Sequence, residues 1–253
     1  YIQAILESQK IKYTHSGVLS SSLAIDKEIS KEIYIKNNIL TPKYIKFKFR
    51  DFNEKKIIQE VQKKLKFPVV IKPINEGSSV SVYICKKNNF LSNLKKLRHY
   101  DEILIEKFIP GREIQVAILG NEKLGAIELK PKRMFYDYEA KYNPNAKTEH
   151  IIPVNISKKN YDKVTSIALK AHKLLKCRGV TRSDFRFNRN KFYLLETNTQ
   201  PGMTSLSLVP EIAKYRNISF AQLINKILLD ASIDKLKKNL FLFIYIRISK
   251  YNF

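Results

Sequence analysis

The chain has 253 residues, 44% of them hydrophobic, and a formal net charge of +24. This hydrophobic content excludes a disordered chain and suffices for the core of one large domain or two of ordinary size. A charge of this size usually indicates nucleic acid or an anionic membrane as a partner. Here, however, the lysines are spread through every segment and do not form a cluster. We therefore expect no nucleic-acid partner and a general preference for small anions such as nucleotides.

Signals for other compartments and for common metal sites are absent from the sequence. No apolar run approaches the roughly 20 residues that span a bilayer, and no signal peptide is visible at the start. Cys85 and Cys177 lie far apart without metal-type spacing, and the four histidines form no ligand-spaced pair. These features predict a cytoplasmic protein without a membrane span.

The two ends of the chain raise separate questions. Because the first residue is Tyr1 and not methionine, we expect that a longer protein contains this sequence. The last residues, Leu240 to Phe253, form an apolar and basic tail that is too short to span a membrane. A docked or loose tail, an amphipathic membrane contact and read-through from a damaged reading frame are the three interpretations.

Helical and alternating periodicities predict a fold in which helices and strands follow one another along the chain. The predicted helices cover residues 1–9, 26–35, 54–65, 90–97, 157–175 and 220–233. The predicted strands cover residues 11–13, 43–49, 68–72, 80–85, 102–106, 112–119, 123–129, 180–187 and 192–197. Residues 18–25 are small and apolar without an assigned element, and residues 131–150 form a long polar loop.

The first candidate site follows the predicted strand 68–72. Lys72 ends this strand, and the loop Asn75–Ser79 comes directly after it. A small, hydroxyl-rich loop lets backbone N–H groups approach phosphate oxygens closely, and Lys72 adds a positive charge. A plain hairpin turn is the alternative, because the same residues also favour turn geometry.

Two acidic residues flank the tight connection between the predicted strands 102–106 and 112–119. These are Glu106 and Glu113. Either they accept hydrogen bonds from nucleotide hydroxyls or amines, or they are solvated charges at strand ends.

The long polar loop contains the aromatic segment Phe135–Tyr142. A loop of this length inside a compact domain is usually a functional lid or disordered. Lys141 and Tyr142 are the residues that closure of such a lid would deliver.

A predicted hairpin carries a further candidate site. Its strands, 180–187 and 192–197, are joined by the polar turn Asn188–Lys191. Glu196 and Asn198 point the same way because side chains alternate along a strand, and the hairpin can bring Arg182 and Asp184 onto that face. Two carboxylates and an amide suit magnesium held jointly with nucleotide phosphates. A surface hairpin with solvated charges is the alternative.

Six motifs taken together resemble the D-alanine:D-alanine ligases of the ATP-grasp fold, over residues 3–230. They are YTHSGVLSSSLAIDK at 13–27, FPVVIKPINEGSSVSV at 67–82, EILIEKFIPGREIQVAILG at 102–120, FYDYEAKY at 135–142, GVTRSDF at 179–185 and FYLLETNTQPGMTSLSLVP at 192–210. Each motif is weak alone, but their joint presence in this order is specific.

The resemblance implies an α+β fold of the ATP-grasp type, in which two α+β subdomains enclose ATP and the N-terminal Rossmann-like domain is mostly absent. Residues 1–20 would be the remnant of that domain and residues 21–103 the central subdomain. Residues 104–233 would be the C-terminal subdomain with the magnesium site, and residues 234–253 the tail of uncertain origin.

The resemblance also implies which residues bind the nucleotide and the metal. The residues expected at ATP are Lys27 and Lys72 at the phosphates, Ser79 in the loop that covers them, and Glu106, Lys107, Ile109 and Glu113 around adenine and ribose. The expected ligands of Mg²⁺ or Mn²⁺ are Asp184, Glu196 and Asn198.

A second implied set would act on D-alanine. Arg182 and the backbone of Gly202 would stabilise the oxyanion, and Tyr142 would join Ser78 in orienting the lid. The carboxylate of the second D-alanine would be bound by Ser207, the backbone of Leu208 and Lys141.

The implied reaction produces D-alanyl-D-alanine for peptidoglycan. The carboxylate of one D-alanine attacks the γ-phosphate of ATP, and the amine of the second attacks the resulting acyl phosphate. Because family members are usually dimers, a homodimer is also expected.

Departures from the family pattern keep two alternatives open. The family has an N-terminal glutamate that binds the amine of the first D-alanine, and this sequence starts just downstream of that place. Ser81 stands where the family usually has glycine, and Gln200 replaces a frequent serine. The alternatives are an inactive or truncated ATP-binding remnant, and a related ATP-grasp ligase with another acceptor such as D-lactate or D-serine.

Overall fold

The structure is a computed structural model that describes residues 2–130, 148–204 and 207–234. The helices are α1 Ile2–Ser8, α2 Val18–Ile25, α3 Lys27–Lys36, α4 Glu54–Lys64, α5 Phe90–Lys96, α6 Lys158–Leu174, α7 Leu208–Tyr215 and α8 Phe220–Leu229. The strands are β1 Tyr44–Lys48, β2 Val69–Pro73, β3 Tyr83–Cys85, β4 Glu102–Lys107, β5 Arg112–Leu119, β6 Glu122–Lys130, β7 Glu149–Ile151, β8 Val180–Asn188 and β9 Lys191–Asn198.

The strands form two antiparallel sheets. One has four strands in the order β1-β4-β2-β3, and the other has five in the order β7-β6-β5-β8-β9. Helices pack on both sheets, so the predicted α+β class is confirmed. The domain boundaries stay predictions. The predicted boundary between residues 103 and 104 falls inside strand β4, which pairs only with strands of the four-stranded sheet.

Two strand predictions were wrong. Residues 11–13 do not form a strand, and of these residues Tyr13 alone pairs, with Ser232, in an isolated bridge. The strand expected at 80–85 begins at Tyr83. Among the preceding residues, Ser79 and Ser81 have φ angles of 60° and 57°, a left-handed conformation that a strand cannot contain.

Two helical segments also differ from what the sequence predicted. Residues 18–25, which carried no assignment, form α2, and its last residue directly precedes the Asp26 cap of α3. The last predicted helix ends at Leu229 and not at residue 233. Asp230 caps it, and the backbone N–H of Asp230 donates to the carbonyls of Lys226 and Leu228.

The core of the four-stranded sheet lies under α4 and α5. Ile57 and Val61 of α4 and Phe90 and Leu94 of α5 are buried against the apolar side chains of the sheet. Asn53 begins α4 by accepting a hydrogen bond of 3.0 Å from the backbone N–H of Lys56, a standard N-cap.

The five-stranded sheet is covered on both faces. Along β5, Ile114, Val116 and Ile118 point to a core under α6, whereas Ala117 and Leu119 point to a core under α7 and α8. The side chains of Glu113 and Gln115 lie on the second face, at the end of β5 nearest to β4. This end of the sheet is therefore polar. Within the described ranges, no helix has the length and apolar character needed to cross a membrane.

Candidate active site

The hairpin of β8 and β9 places the predicted metal residues on one face. Asp184 is directly opposite Glu196, and Arg182 is opposite Asn198. The turn is shorter than predicted. Only Arg189 and Asn190 lie between the strands, with φ angles of 46° and 59°, as in the two-residue turns that match strand twist. The prediction that the hairpin gathers these side chains is confirmed.

Arg182 holds the carboxylate of Asp184 with two hydrogen bonds. Its Nε donates to Oδ1 at 2.8 Å and its Nη2 to Oδ2 at 3.1 Å. Both side chains are largely buried, at 14% and 7% exposure. The guanidinium is therefore fixed in direction by the acid beside it.

The donors at the hairpin fit a magnesium ion shared with phosphates, but not an ion held by protein alone. Within the described ranges, no three His, Cys, Asp or Glu side chains are close enough to hold a metal. Asp184 and Glu196 supply two carboxylates, and Asn198 supplies an amide oxygen that also accepts from the Gln200 N–H at 2.9 Å. Magnesium commonly binds through one or two carboxylates and completes its shell with phosphate oxygens and water.

A cleft lies between the two sheets and is lined by nine of the predicted site residues. They are Lys27, Lys72, Ser79, Glu106, Lys107, Ile109, Glu113, Asp184 and Glu196. The seven predicted ATP-binding residues are all among them. Apolar side chains, including Val70, Phe108 and Leu195, line the same cleft. Such a mixture of apolar walls and a few polar groups is typical of small-molecule sites.

Lys27 opens helix α3 at the edge of the cleft. Asp26 caps the helix by accepting from the Ile29 N–H at 2.9 Å. The Lys27 ammonium donates to the carbonyls of Glu76 and Ile74, the latter at 3.4 Å, and lies 4.0 Å from Oε2 of Glu196. Burial lowers the pKa of Lys27. Lys27 thus connects the phosphate-loop candidate with the hairpin.

Glu106 lies at the floor of the cleft between two lysines. Its Oε1 is 2.9 Å from Nζ of Lys31, and its Oε2 is 2.9 Å from Nζ of Lys72. Burial raises the pKa of Glu106, but the charges of Lys31 and Lys72 outweigh this effect and bring it to about 2. Because Glu106 and Glu113 are only 3% and 8% exposed, the alternative of solvated strand-end charges is wrong.

The loop after β2 adopts an unusual backbone. Ser78, Ser79 and Ser81 all have positive φ, between 50° and 60°, a region that non-glycine residues seldom occupy. Ser79 borders the cleft, whereas Ser78 is not among its lining residues. The hydroxyl of Tyr100 lies 3.4 Å from Oγ of Ser81.

Among the described residues, those predicted to bind the second D-alanine lie outside the lining of the cleft, in the connection between β9 and α7 and at the start of α7. Ser207 precedes α7, and its Oγ accepts from the Thr204 N–H at 2.9 Å. A Cβ on Gly202 would stand 2.9 Å from that same Oγ, so this position admits only glycine without a shift. Leu208 begins α7 and is buried. Lys141 and Tyr142 lie outside the described residues.

Sequence reasoning missed Lys31 and Arg186. Arg186 Nη2 lies 3.7 Å from Oε2 of Glu113, and its Nη1 donates to the Gly111 carbonyl at 3.1 Å. The spacing of four residues between Lys27 and Lys31 was a signal for a shared helix face. Arg186 likewise lies two residues beyond Asp184, on the same face of β8.

Comparison with known proteins identifies the family. The family model "D-ala D-ala ligase C-terminus" matches residues 33–229. The D-alanine–D-alanine ligase of Pelagibacter ubique is 68% identical over 235 residues, which cover 93% of this chain and 77% of the relative. The chain belongs to the D-alanine–D-alanine ligase family.

Solved structures of the ligase family have the same fold. The D-alanine–D-alanine ligase of Bacillus anthracis in complex with ATP superposes with a TM-score of 0.76 at 33% identity, covering 90% of this chain and 73% of that one. A D-Ala:D-Ser ligase from Enterococcus faecalis gives 0.77 at 28% identity, covering 90% and 67%. The resemblance to the ATP-grasp fold is thereby confirmed.

Proposed function

We propose that this chain catalyses the ATP-dependent joining of two D-alanine molecules to D-alanyl-D-alanine, for peptidoglycan synthesis in the cytoplasm. The cleft between the sheets carries the proposal, because it collects all seven residues expected at ATP. The 68% identity to a D-alanine–D-alanine ligase supports D-alanine as the substrate.

The nucleotide would lie between the two sheets. The ammonium groups of Lys27 and Lys72 would bind phosphate oxygens, while Val70, Phe108 and Leu195 would contact the base. The lining of apolar side chains with a few charged groups is the composition expected of a small-molecule site. Glu113 would accept hydrogen bonds from ribose hydroxyls.

A magnesium or manganese ion would bind at the hairpin, with Asp184, Glu196 and Asn198 as protein ligands. When bound, it would neutralise charge on the phosphates as the γ-phosphoryl group is transferred. The oxygen-only donor set supports these hard ions over softer metals.

Acyl transfer would take place next to Arg182. Attack of the second amine on the acyl phosphate places negative charge on the carbonyl oxygen, and a donor already aimed at that oxygen stabilises it. Asp184 holds the guanidinium in one orientation, which supports such a preorganised role. Gly202 would donate its backbone N–H, and Ser207 and Leu208 would bind the substrate carboxylate. Lys141, Tyr142 and Ser78 would act through the lid.

Formation of ADP and of dipeptide tests the function directly. We would incubate the chain with ATP, magnesium and D-alanine, and measure ADP by a coupled assay and D-alanyl-D-alanine by mass spectrometry. A fusion that adds the N-terminal segment of the Pelagibacter ubique relative is the parallel sample. Both products from the chain alone would support the proposal, whereas products from the fusion alone would show that the chain needs an N-terminal segment for activity. ATP binding without dipeptide in both samples would favour an inactive remnant.

A different acceptor is the second candidate function. It is supported by the structural likeness to a D-Ala:D-Ser ligase, although the 68% identity to a D-alanine–D-alanine ligase favours the dipeptide. The same assay with equimolar D-alanine and D-serine, or D-alanine and D-lactate, decides between them.

A homodimer is also proposed, and sedimentation velocity would distinguish it from a monomer of 29.6 kDa.

A further inference from the structure

Helix α3 turns a polar face towards the interior of the protein. Lys27, Lys31 and Tyr34 are spaced four and three residues apart and therefore share one face of the helix. All three are buried. Lys27 borders the cleft, and Tyr34 donates a hydrogen bond of 3.0 Å to Thr197 on β9. Lys31 lies between them at 0% exposure, so its contacts must offset the cost of removing an ammonium group from water.

The contacts of Lys31 join the two sheets. Its Nζ lies 2.9 Å from Oε1 of Glu106 on β4 and donates a hydrogen bond of 2.6 Å to Oγ1 of Thr41. The hydroxyl of Thr41 donates in turn to the carbonyl of Leu194 on β9, at 2.8 Å. Lys31 therefore reaches the four-stranded sheet through Glu106 and the five-stranded sheet through Thr41.

Glu106 is shared between Lys31 and Lys72, and the two lysines differ in their access to the cleft. Lys72 is one of the lining residues, whereas Lys31 is not. Because two cations share one carboxylate, the ammonium of Lys72 keeps positive charge that a ligand anion can use. If Lys31 were neutral, Lys72 would be the remaining ion-pair partner of Glu106 among the described residues, with the ammonium of Lys27 nearby. Glu106 would then neutralise Lys72.

We propose that Lys31 is a positioning residue for nucleotide binding, which holds Glu106 and so leaves the ammonium of Lys72 available to the phosphates. This inference rests on the proposed function only in taking ATP as the ligand. Because Lys31 does not border the cleft, it acts on the nucleotide through Glu106 and Lys72. Its loss should therefore affect the affinity for ATP and not the affinity for D-alanine.

The test compares Lys31→Met with the matched control Lys46→Met. Methionine keeps most of the side-chain length and removes the charge. Lys46 also connects α3 with β4, because its Nζ lies 2.6 Å from Glu28 and 2.8 Å from Glu102. It is 30% exposed and does not line the cleft. Each variant thus removes a cation that connects α3 with β4, but Lys31 is buried beside Glu106 whereas Lys46 lies at the surface.

Isothermal titration calorimetry with ATP, without D-alanine, gives the decisive quantity. We expect Lys31→Met to raise the Kd roughly tenfold to hundredfold, as is common when a partner that orients a binding group is removed. Lys46→Met should change the Kd by less than about twofold, since surface ion pairs contribute little. Lys31→Arg should recover part of the affinity. In the ligation assay, the KM for D-alanine should stay unchanged in Lys31→Met.

Several results would overturn the inference. They are an unchanged Kd in Lys31→Met, an equal loss of affinity in Lys46→Met, or no ATP binding by the parent chain. If Lys31→Met does not fold, Lys31→Gln removes the same charge and keeps a hydrogen-bond donor, and an unchanged Kd there would count equally against the inference. A parent chain that binds ATP but forms no dipeptide would contradict the proposed function and leave this inference standing.

Discussion

Arg182 is the side chain whose geometry best supports a role in the proposed acyl transfer. Asp184 accepts two hydrogen bonds from it, so the guanidinium cannot rotate freely. A donor held in this way loses little free energy of reorganisation when charge develops nearby, and this is the physical basis of oxyanion stabilisation.

We predict that Arg182→Met lowers the kcat of ligation about 100- to 1,000-fold, the usual effect of removing one oxyanion donor. The KM for ATP should change much less, because Arg182 is not among the residues that line the proposed nucleotide cleft. Steady-state kinetics measures both constants. The control is Arg189→Met, in the turn of the same hairpin, which should leave kcat unaltered. A loss confined to the KM for ATP would contradict the assignment.

His172 makes the stability of the protein depend on pH. It is 3% exposed, with Nδ1 located 2.8 Å from Oγ1 of Thr181. Burial lowers its pKa from 6.5 to about 4. The folded state therefore binds fewer protons than the unfolded state between these values, and stability falls as the pH falls through this window.

We predict that His172 accounts for a loss of roughly 3 kcal/mol of unfolding free energy between pH 7 and pH 4. Urea denaturation across this range should show a shallower pH dependence in His172→Asn than in the parent. The exposed His99 provides the comparison, since His99→Asn should retain the parent slope. Equal slopes in all three proteins would show that His172 titrates normally.

At the scale of elements, helix α3 is the feature that joins the fold to the site. Its sequence suggested a helix running through Ile33 and Ile35, but Ile35 is 53% exposed while Lys31 is fully buried. At these two positions the usual pattern of apolar residues inside and charges outside is reversed. The buried carboxylate of Glu106 on β4 explains the reversal, because it stabilises the ammonium groups that the helix directs inward.

The connection between β4 and β5 provides a test at this scale. Gly111 has a φ of +113°, and a Cβ there would stand 2.3 Å from the Phe187 carbonyl oxygen. We predict that Gly111→Ala costs about 2 kcal/mol or more of unfolding free energy, since the backbone must move. Gly77→Ala should stay within about 0.5 kcal/mol, because no atom lies within 4 Å of its added Cβ. Urea midpoints measure both changes.

At the scale of the whole molecule, the charge of +24 arises from 47 basic and 23 acidic residues. We predict that this excess gives only non-specific adhesion to polyanions. Fluorescence anisotropy should detect binding of a labelled DNA duplex at low salt and lose it near 150 mM, as counterion release requires. Affinity that survives at physiological ionic strength would revive a nucleic-acid function.

The sequence by itself determined the features that depend on neighbouring residues. Alternation along a strand placed Glu196 and Asn198 on one face, and the short polar turn predicted the hairpin that adds Asp184. The ordered motifs indicated the family, since they need no knowledge of packing. These features are local because the strand period and the turn chemistry act over a few residues.

Only the tertiary structure decided which charges are buried and with what partners. Lys31, Glu106 and Lys72 are far apart in the chain, and they meet because α3 packs on the core of the five-stranded sheet and directs Lys31 towards β4. The sequence left Glu106 and Glu113 open between solvated and functional roles, because burial depends on how the two sheets approach each other. The short strand β3 likewise reflects the loop that precedes it. A buried ion cluster is set by contacts between distant segments, and no local period encodes those contacts.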